Sequence, residues 1–156
     1  MRTRNLWVGP GIALLLLATN AHAKPNFTGD WKMNPAKSAF GSMPTPTSIV
    51  QKITHEEPNL KVVTTQVGEM GEFTVEYGYT TDGKECVNKF RDLDRKSTLK
   101  WDGDTLVIES KLDVQGNAIS VTEKWSLSED GKTLTVNRHF AGPEGETDAK
   151  TVMEKQ

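Results

Sequence analysis

Residues 96–140 read KSTLKWDGDTLVIESKLDVQGNAISVTEKWSLSEDGKTLTVNRHF, and this stretch decides the fold. Leu99 and Trp101 alternate with Thr98 and Lys100. After Asp102-Gly103, Leu106, Ile108 and Leu112 alternate with Val107, Glu109 and Lys111. After Gln115-Gly116-Asn117, Ile119, Val121, Trp125 and Leu127 alternate with Ser120, Thr122, Lys124 and Ser126. After Asp130-Gly131, Leu134, Val136 and Phe140 alternate with Thr133, Thr135 and His139. A period of two is the mark of strands with one apolar and one wet face. Asp-Gly between such runs signals a hairpin, because primed turns need positive φ and glycine supplies it. The stretch is therefore an antiparallel meander.

The same alternation extends outward in both directions. Phe27, Gly29, Trp31 and Met33 share one face of a first strand, and Gly29 in its interior marks a close approach or a bend. Residues 34–47 contain Pro35, Pro44, Pro46 and Gly41, which predicts a loop with at most one helical turn near Pro35. Ile49, Gln51, Ile53 and His55 alternate, as do Leu60, Val62, Thr64 and Gln66, with Glu57-Pro58-Asn59 between them. Phe73, Val75, Tyr77 and Tyr79 form the inner face of the next strand. Asp82-Gly83 and the return Glu85–Phe90 read as its hairpin, and residues 91–95 read as a charged connection. A final strand spans Thr147–Glu154 after Gly142-Pro143-Glu144-Gly145. The expectation is an all-β chain, an antiparallel up-and-down barrel of about 8–10 strands. Closure removes the exposed edges that an open sheet of this size would carry, and a barrel of this size usually encloses a ligand cavity.

The first 23 residues read differently. Arg2 and Arg4 precede an apolar run from Val8 to Ala18, and Ala21-His22-Ala23 has the small-x-small pattern of a cleavage site. That is the pattern of a secretory signal peptide. The expected division is residues 1–23 as the leader and 24–156 as the barrel domain, periplasmic or secreted. Removing the leader takes away Arg2 and Arg4 and no acid, leaving 17 basic against 21 acidic side chains, a net charge of −4. With both signs interspersed, nothing points to nucleic acid. No later apolar run is long enough to span a membrane. Cys86 is the single cysteine, so no internal disulfide forms.

Hairpin arithmetic picks out the candidate site. If Asp130-Gly131 is a two-residue loop, Leu127 faces Leu134, Trp125 faces Val136 and Glu123 faces Arg138. Two charges on an apolar face need each other or a ligand head group. Around Asp82-Gly83 the same reasoning places Tyr79 against Cys86, Tyr77 against Asn88 and Val75 against Phe90. Tyr77, Tyr79, Asn88, Glu123, Trp125 and Arg138 are the candidate lining of a cavity. Gln51, His55, Thr64 and Gln66 add polarity to its wall. The chain lacks a His-Glu zinc pattern, a phosphate-binding glycine loop and Gly-x-Ser-x-Gly, so no catalytic residue, metal site or cofactor is assigned. His55 is the one inward histidine, which leaves haem as a minor option.

Phe27-Thr28-Gly29-Asp30-Trp31-Lys32 resembles the Gly-x-Trp signature of the calycin superfamily, which includes the lipocalins and the fatty-acid-binding proteins. Trp101-Asp102-Gly103, Glu129-Asp130-Gly131-Lys132 and Val152-Met153-Glu154-Lys155 are also similar to late strands of the fatty-acid-binding group. The resemblance implies that Trp31 plugs one barrel end. It covers the outline of a lidless, exported bacterial form, because residues 34–47 cannot supply the two-helix lid of the fatty-acid-binding group. That group's Arg-x-Tyr carboxylate clamp in the last strand is replaced by Thr151 and Met153. The function expected is binding of a small, mostly hydrophobic ligand in the barrel interior. The alternative is a non-enzymatic envelope or inhibitor-type barrel with a filled interior that works through its outer surface.

Overall fold

The computed structural model describes residues 22–156. The apolar leader expected at residues 1–23 lies almost wholly outside the described residues. Ten strands follow one another as an up-and-down barrel: β1 Gly29–Met33, β2 Ser48–Glu56, β3 Asn59–Gly68, β4 Gly71–Thr80, β5 Cys86–Phe90, β6 Leu93–Asp102, β7 Thr105–Val114, β8 Asn117–Leu127, β9 Thr133–Gly142 and β10 Gly145–Lys155. The hydrogen-bonded order is β4-β3-β2-β1-β10-β9-β8-β7-β6-β5, all antiparallel. The first and last strands pair, with Trp31 opposite Lys155. The segment after β1 holds a single 3-10 turn, Pro35–Lys37, started by Pro35 and capped by the Asn34 side chain. No lid of two helices follows β1.

Turn chemistry sets the register. Gln115 (φ 55) and Gly116 (φ 84) are both left-handed between Val114 and Asn117, as a type I′ hairpin requires. At the β8–β9 turn the pairs Leu127–Leu134, Trp125–Val136 and Glu123–Arg138 form as the sequence predicts. The loop itself is longer than the predicted two residues. Ser128 N–H donates to Thr133 C=O at 2.9 Å, so four residues make the reversal. Asp130 Oδ1 receives Ser128 Oγ–H at 2.6 Å and Lys132 N–H at 3.0 Å. The extra residues were added symmetrically, and the register did not move.

The structure differs from the sequence expectation at two places. Residues 91–95 are not a charged connection. Arg91-Asp92 is the turn, and β6 already begins at Leu93, pairing Phe90 with Leu93 and Asn88 with Arg95. The Asp82-Gly83 turn does not close a hairpin, because β4 and β5 share no ladder. The loop peels away instead: Thr81 N–H donates to Pro58 C=O and Gly83 N–H to Leu99 C=O. Tyr79–Cys86, Tyr77–Asn88 and Val75–Phe90 are therefore not cross-strand pairs. At the seam Asn88 acts as a stand-in for a strand. Its Oδ1 accepts Gly78 N–H at 2.8 Å and its Nδ2 donates to Gly78 C=O at 2.9 Å. Cys86 Sγ accepts Thr80 N–H at 3.2 Å. The barrel is thus nearly closed, with side chains bridging its one break.

The two barrel ends differ. At one end Phe27, Trp31, Leu60, Leu99, Leu106, Leu134 and Met153 are fully buried. Each such side chain contributes about 1.5–3 kcal/mol of apolar burial, so this half carries the stability. At the opposite end, near the 69–70, 91–92, 115–116 and 143–144 turns, the inward residues Gln66, Phe90, Leu93, Leu112, Val114, Ile119 and Phe140 are only half-buried. Phe73 there is exposed.

Candidate functional site

The closed end is built by the first strand. Trp31 is fully buried, its Nε1–H donates to Phe27 C=O at 2.9 Å, and Lys155 Nζ lies 5.4 Å from its ring centroid. Gly29 (φ 151) makes room for that lysine: a Cβ there would stand 2.6 Å from Lys155 Cε. Phe27 stacks on His55 and Trp101 and meets Trp125 edge-on. His55 Nδ1 accepts Phe27 N–H at 3.3 Å, so its proton is on Nε2, which donates to Glu57 Oε1 at 2.9 Å. Both ring nitrogens are spent, and His55 offers iron no ligand. Glu57 also receives Trp101 Nε1–H at 2.9 Å and the Thr81 hydroxyl. Burial pushes the Glu57 carboxyl up, but the hydrogen bonds from Thr81, His55 and Trp101 outweigh it and hold the group below its ordinary value.

Above this plug lies a polar layer. Inward positions of successive strands place Gln51, Thr64, Tyr77, Arg95, Ser97, Ser110, Glu123, Arg138 and Thr151 around the middle of the lumen. Glu123 is its centre. Oε1 accepts Arg138 Nε–H at 2.8 Å and stands 3.5 Å from Arg95 Nη2, while Oε2 accepts Trp125 Nε1–H at 3.1 Å. Arg138 Nη1 continues the chain to Thr151 Oγ1 at 3.3 Å. Burial alone would raise the Glu123 carboxyl, yet the charges of Arg138 and Arg95 and the bonds from Arg138 and Trp125 bring it down to about 2. Glu123 is therefore ionised. Arg95 reaches it from β6 across β7, over two small residues, Ser97 and Ser110, whose hydroxyls bond each other at 2.7 Å.

Sequence reasoning does not single out Arg95, which stands beside Asp92 and Asp94 in what reads as a charged connection. The signal was its parity, since Leu93, Arg95, Ser97, Leu99 and Trp101 alternate on one face. Its guanidinium lies 4.9 Å from the Tyr77 ring centroid. Its Nε and Nη2 are buried and have no hydrogen-bond partner among the described residues. Gln51 likewise gives Nε2–H to Thr64 Oγ1 at 3.0 Å and leaves Oε1 without a partner among them. Burial raises the Tyr79 hydroxyl well above its ordinary value and keeps it neutral. Of the candidate lining, Tyr77, Glu123 and Arg138 meet in this layer, Trp125 joins it through its indole N–H, Tyr79 sits below, and Asn88 belongs to the seam.

Two hollows of about 410 and 360 Å³ lie on the outer wall. The larger is lined mostly by outward residues, Thr122, Lys124, Asn137, His139, Asp148 and Lys150, together with Ala39 and the inward-phase Arg138 and Ala149. His139 bonds Asp148 there at 2.8 Å, far from His55. Among the described residues no group of three or more His, Cys, Asp or Glu side chains is arranged to hold a metal ion. No helix among them is long and apolar enough to cross a membrane.

The described residues form a ten-stranded, nearly closed up-and-down barrel, and solved structures share this fold. The chain is similar in structure to a secretory abundant heat soluble protein from Ramazzottius varieornatus, at TM-score 0.61 and 14% identity over 86% of this chain and 97% of that one. It is similar to zebrafish ileal bile-acid-binding protein complexed with cholic acid, at 0.58 and 15% over 83% and 98%. It is also similar to a variant of the fluorescent protein UnaG, at 0.55 and 16% over 83% and 96%. At these identities the likeness is one of fold. No family model matches the chain, and no curated protein sequence matches it.

Proposed function

We propose that the protein is an exported, non-enzymatic binding protein that holds a small, mostly hydrophobic ligand in the barrel lumen and admits it at the open end. The observation that carries this reading is the asymmetry of burial. Phe27, Trp31 and Leu134 seal one end completely, whereas the inward-facing Phe90, Leu93, Leu112, Ile119 and Phe140 at the other end remain half-buried. Apolar side chains that face inward yet stay partly wet gain free energy when a ligand covers them. Zebrafish ileal bile-acid-binding protein, which shares this fold, is complexed with cholic acid, and that supports binding of a small, largely apolar molecule. Export is supported by Arg2, Arg4, the apolar run Val8 to Ala18 and Ala21-His22-Ala23.

The test uses the processed protein, with an intact mass that starts at Lys24, and a neutral apolar dye, N-phenyl-1-naphthylamine. Saturable one-to-one uptake in the micromolar range (Kd of about 1–10 µM) is expected, with binding lost in Phe140→Glu, which puts a charge into the mouth. No saturable binding by the wild type, or equal binding by the folded Phe140→Glu variant, would overturn the reading.

A further inference from the structure

We propose that the outer wall of β6–β10 binds an acidic polysaccharide, one that carries an anionic group on every second sugar. The site is separate from the lumen and makes no use of the lumenal reading.

A row of cross-strand partners carries the inference. Lys100 on β6 stands opposite Val107 on β7, and Val107 opposite Lys124 on β8. Lys124 stands opposite Asn137 on β9, and Asn137 opposite Lys150 on β10. All five side chains point outward, out of phase with the buried Leu99, Leu106, Trp125, Val136 and Ala149. Neighbouring strands lie about 4.8 Å apart, so the lysines, on every second strand, repeat at about 9.6 Å along one line. That interval is close to the length of a disaccharide. Anions on every second sugar of an extended chain therefore meet Lys100, Lys124 and Lys150 in turn. The wall is convex, and the flexible four-carbon stems of lysine take up the curvature.

These lysines are available. Among the described residues Lys37, Lys61, Lys84 and Lys89 pair with acids, whereas Lys100, Lys124 and Lys150 make no ion pair. The neighbouring row toward the mouth holds Glu109 and Asp148, and His139 engages Asp148 at 2.8 Å. The row beyond that sets Lys96 directly opposite Lys111. Like charges directly opposite are destabilising, and an anion over the wall relieves them. Across these three rows five lysines stand against Glu109, Glu146 and Asp148, in a chain whose acids outnumber its bases. The wall is thus locally basic on an acidic protein, which draws in an anionic partner.

The ground between the lysines favours a sugar over any other polyanion. Asn137 and Ala39 are short beside the stems of Lys124 and Lys150, and the wall sinks there to the hollow of about 410 Å³. A volume of that order takes a small ligand. The Asn137 amide, the Thr122 hydroxyl and the His139 ring stand in it, and such groups suit the hydroxyls of an uncharged sugar. On the other side of Lys124, Val107 is a half-buried apolar step that fits the C–H face of the next uncharged sugar. A lipid surface or a bare phosphate chain would make no use of the hollow.

The experiment titrates isotope-labelled processed protein, at low salt, with a hyaluronan octasaccharide, which has one carboxylate per disaccharide. Saturable binding with a Kd of about 0.1–1 mM is expected, with amide shifts gathered on β8–β10 around Asn137. Binding should vanish above about 0.3 M salt, where the screening length is shorter than the interval between lysines. Lys124→Gln and Lys150→Gln should each weaken it about threefold, the worth of one exposed ion pair. Lys52→Gln, on the outer face of β2, should leave it unchanged. Asn137→Ala should weaken the octasaccharide about threefold and leave binding of an oligothymidylate of equal charge as it was. All four positions are exposed, so the fold is retained. Absence of shifts on β8–β10 would overturn the proposal. So would a Lys52→Gln loss as large as that of Lys150→Gln, which would mean diffuse attraction. Tighter binding of the oligothymidylate, or of phosphatidylglycerol vesicles, than of the octasaccharide would also overturn it and assign the wall to a phosphate surface.

Discussion

Arg138 Nε–H donates to Glu123 Oε1 at 2.8 Å across the β8–β9 ladder, and the same oxygen stands 3.5 Å from Arg95 Nη2. The carboxylate is thus shared, unequally, between two cations. Removing the acid and removing one of the bases are then different injuries. Glu123→Leu leaves two guanidinium groups facing each other with no counter-charge and should cost about 3–5 kcal/mol. Arg138→Met leaves Glu123 with Arg95 and the Trp125 N–H and should cost roughly half as much. The double variant should recover only part of the Glu123→Leu loss, because Arg95 is still uncompensated. Chemical denaturation of the four proteins measures this. An Arg138→Met loss as large as that of Glu123→Leu would show that Arg95 takes no share of the charge.

Acid should act on the same carboxylate. Its ordinary value is 4.5 and in the fold it is about 2. A group depressed on folding contributes stability that is fully present above its unfolded value and is lost as pH falls through the folded one. The contribution, on the order of 3 kcal/mol, should therefore drain away between pH 4.5 and 2. Glu57 is shifted in the same direction and adds to the slope. Glu123→Gln isolates the larger part. Its deficit against wild type in urea midpoint should shrink steadily as pH falls below 4.5. A deficit that stays constant down to pH 2 would place the cause of the low value elsewhere.

What could be read in the sequence was alternation and reversal. The pairing of Glu123 with Arg138 followed from parity and from the centre of the Asp130-Gly131 turn, and it survived a change in loop length because the two added residues fell one on each side. The burial of Trp31 followed from its place on the alternating apolar face of Phe27, Gly29, Trp31 and Met33. What could not be read was closure across the seam. Asp82-Gly83 is a strong turn signal, and Gly83 does have positive φ, at 79°. A turn signal says where the chain reverses and not that the flanking strands pair afterwards. Here Thr81 and Gly83 spend their N–H groups on Pro58 and Leu99, partners distant in sequence, and the return strand is carried off toward β6. Arg95 was hidden for a related reason. Four charged residues stand at positions 91, 92, 94 and 95, a pattern of a solvated turn, and only two of them are in the turn. An inward charge becomes visible only once its strand's register is known.

That seam carries the last prediction. β4 and β5 lack ladder bonds, and the Asn88 amide provides both an acceptor and a donor to Gly78, at 2.8 and 2.9 Å. Two neutral hydrogen bonds near the surface contribute about 1–2 kcal/mol together. Asn88→Ala should lose that amount and should free the Gly78 amide, whose hydrogen exchange should accelerate while amides of the closed end such as Leu106 and Leu134 keep their protection. Asn88→Asp is the more telling variant. It keeps size and the acceptor but swaps the donor for a second acceptor, which then faces Gly78 C=O. It should be at least as destabilised as Asn88→Ala at neutral pH and recover when the new carboxyl is protonated. Unchanged exchange at Gly78 in Asn88→Ala would mean that the seam is held by Cys86 and by packing alone, and that the Asn88 bonds contribute nothing to closure.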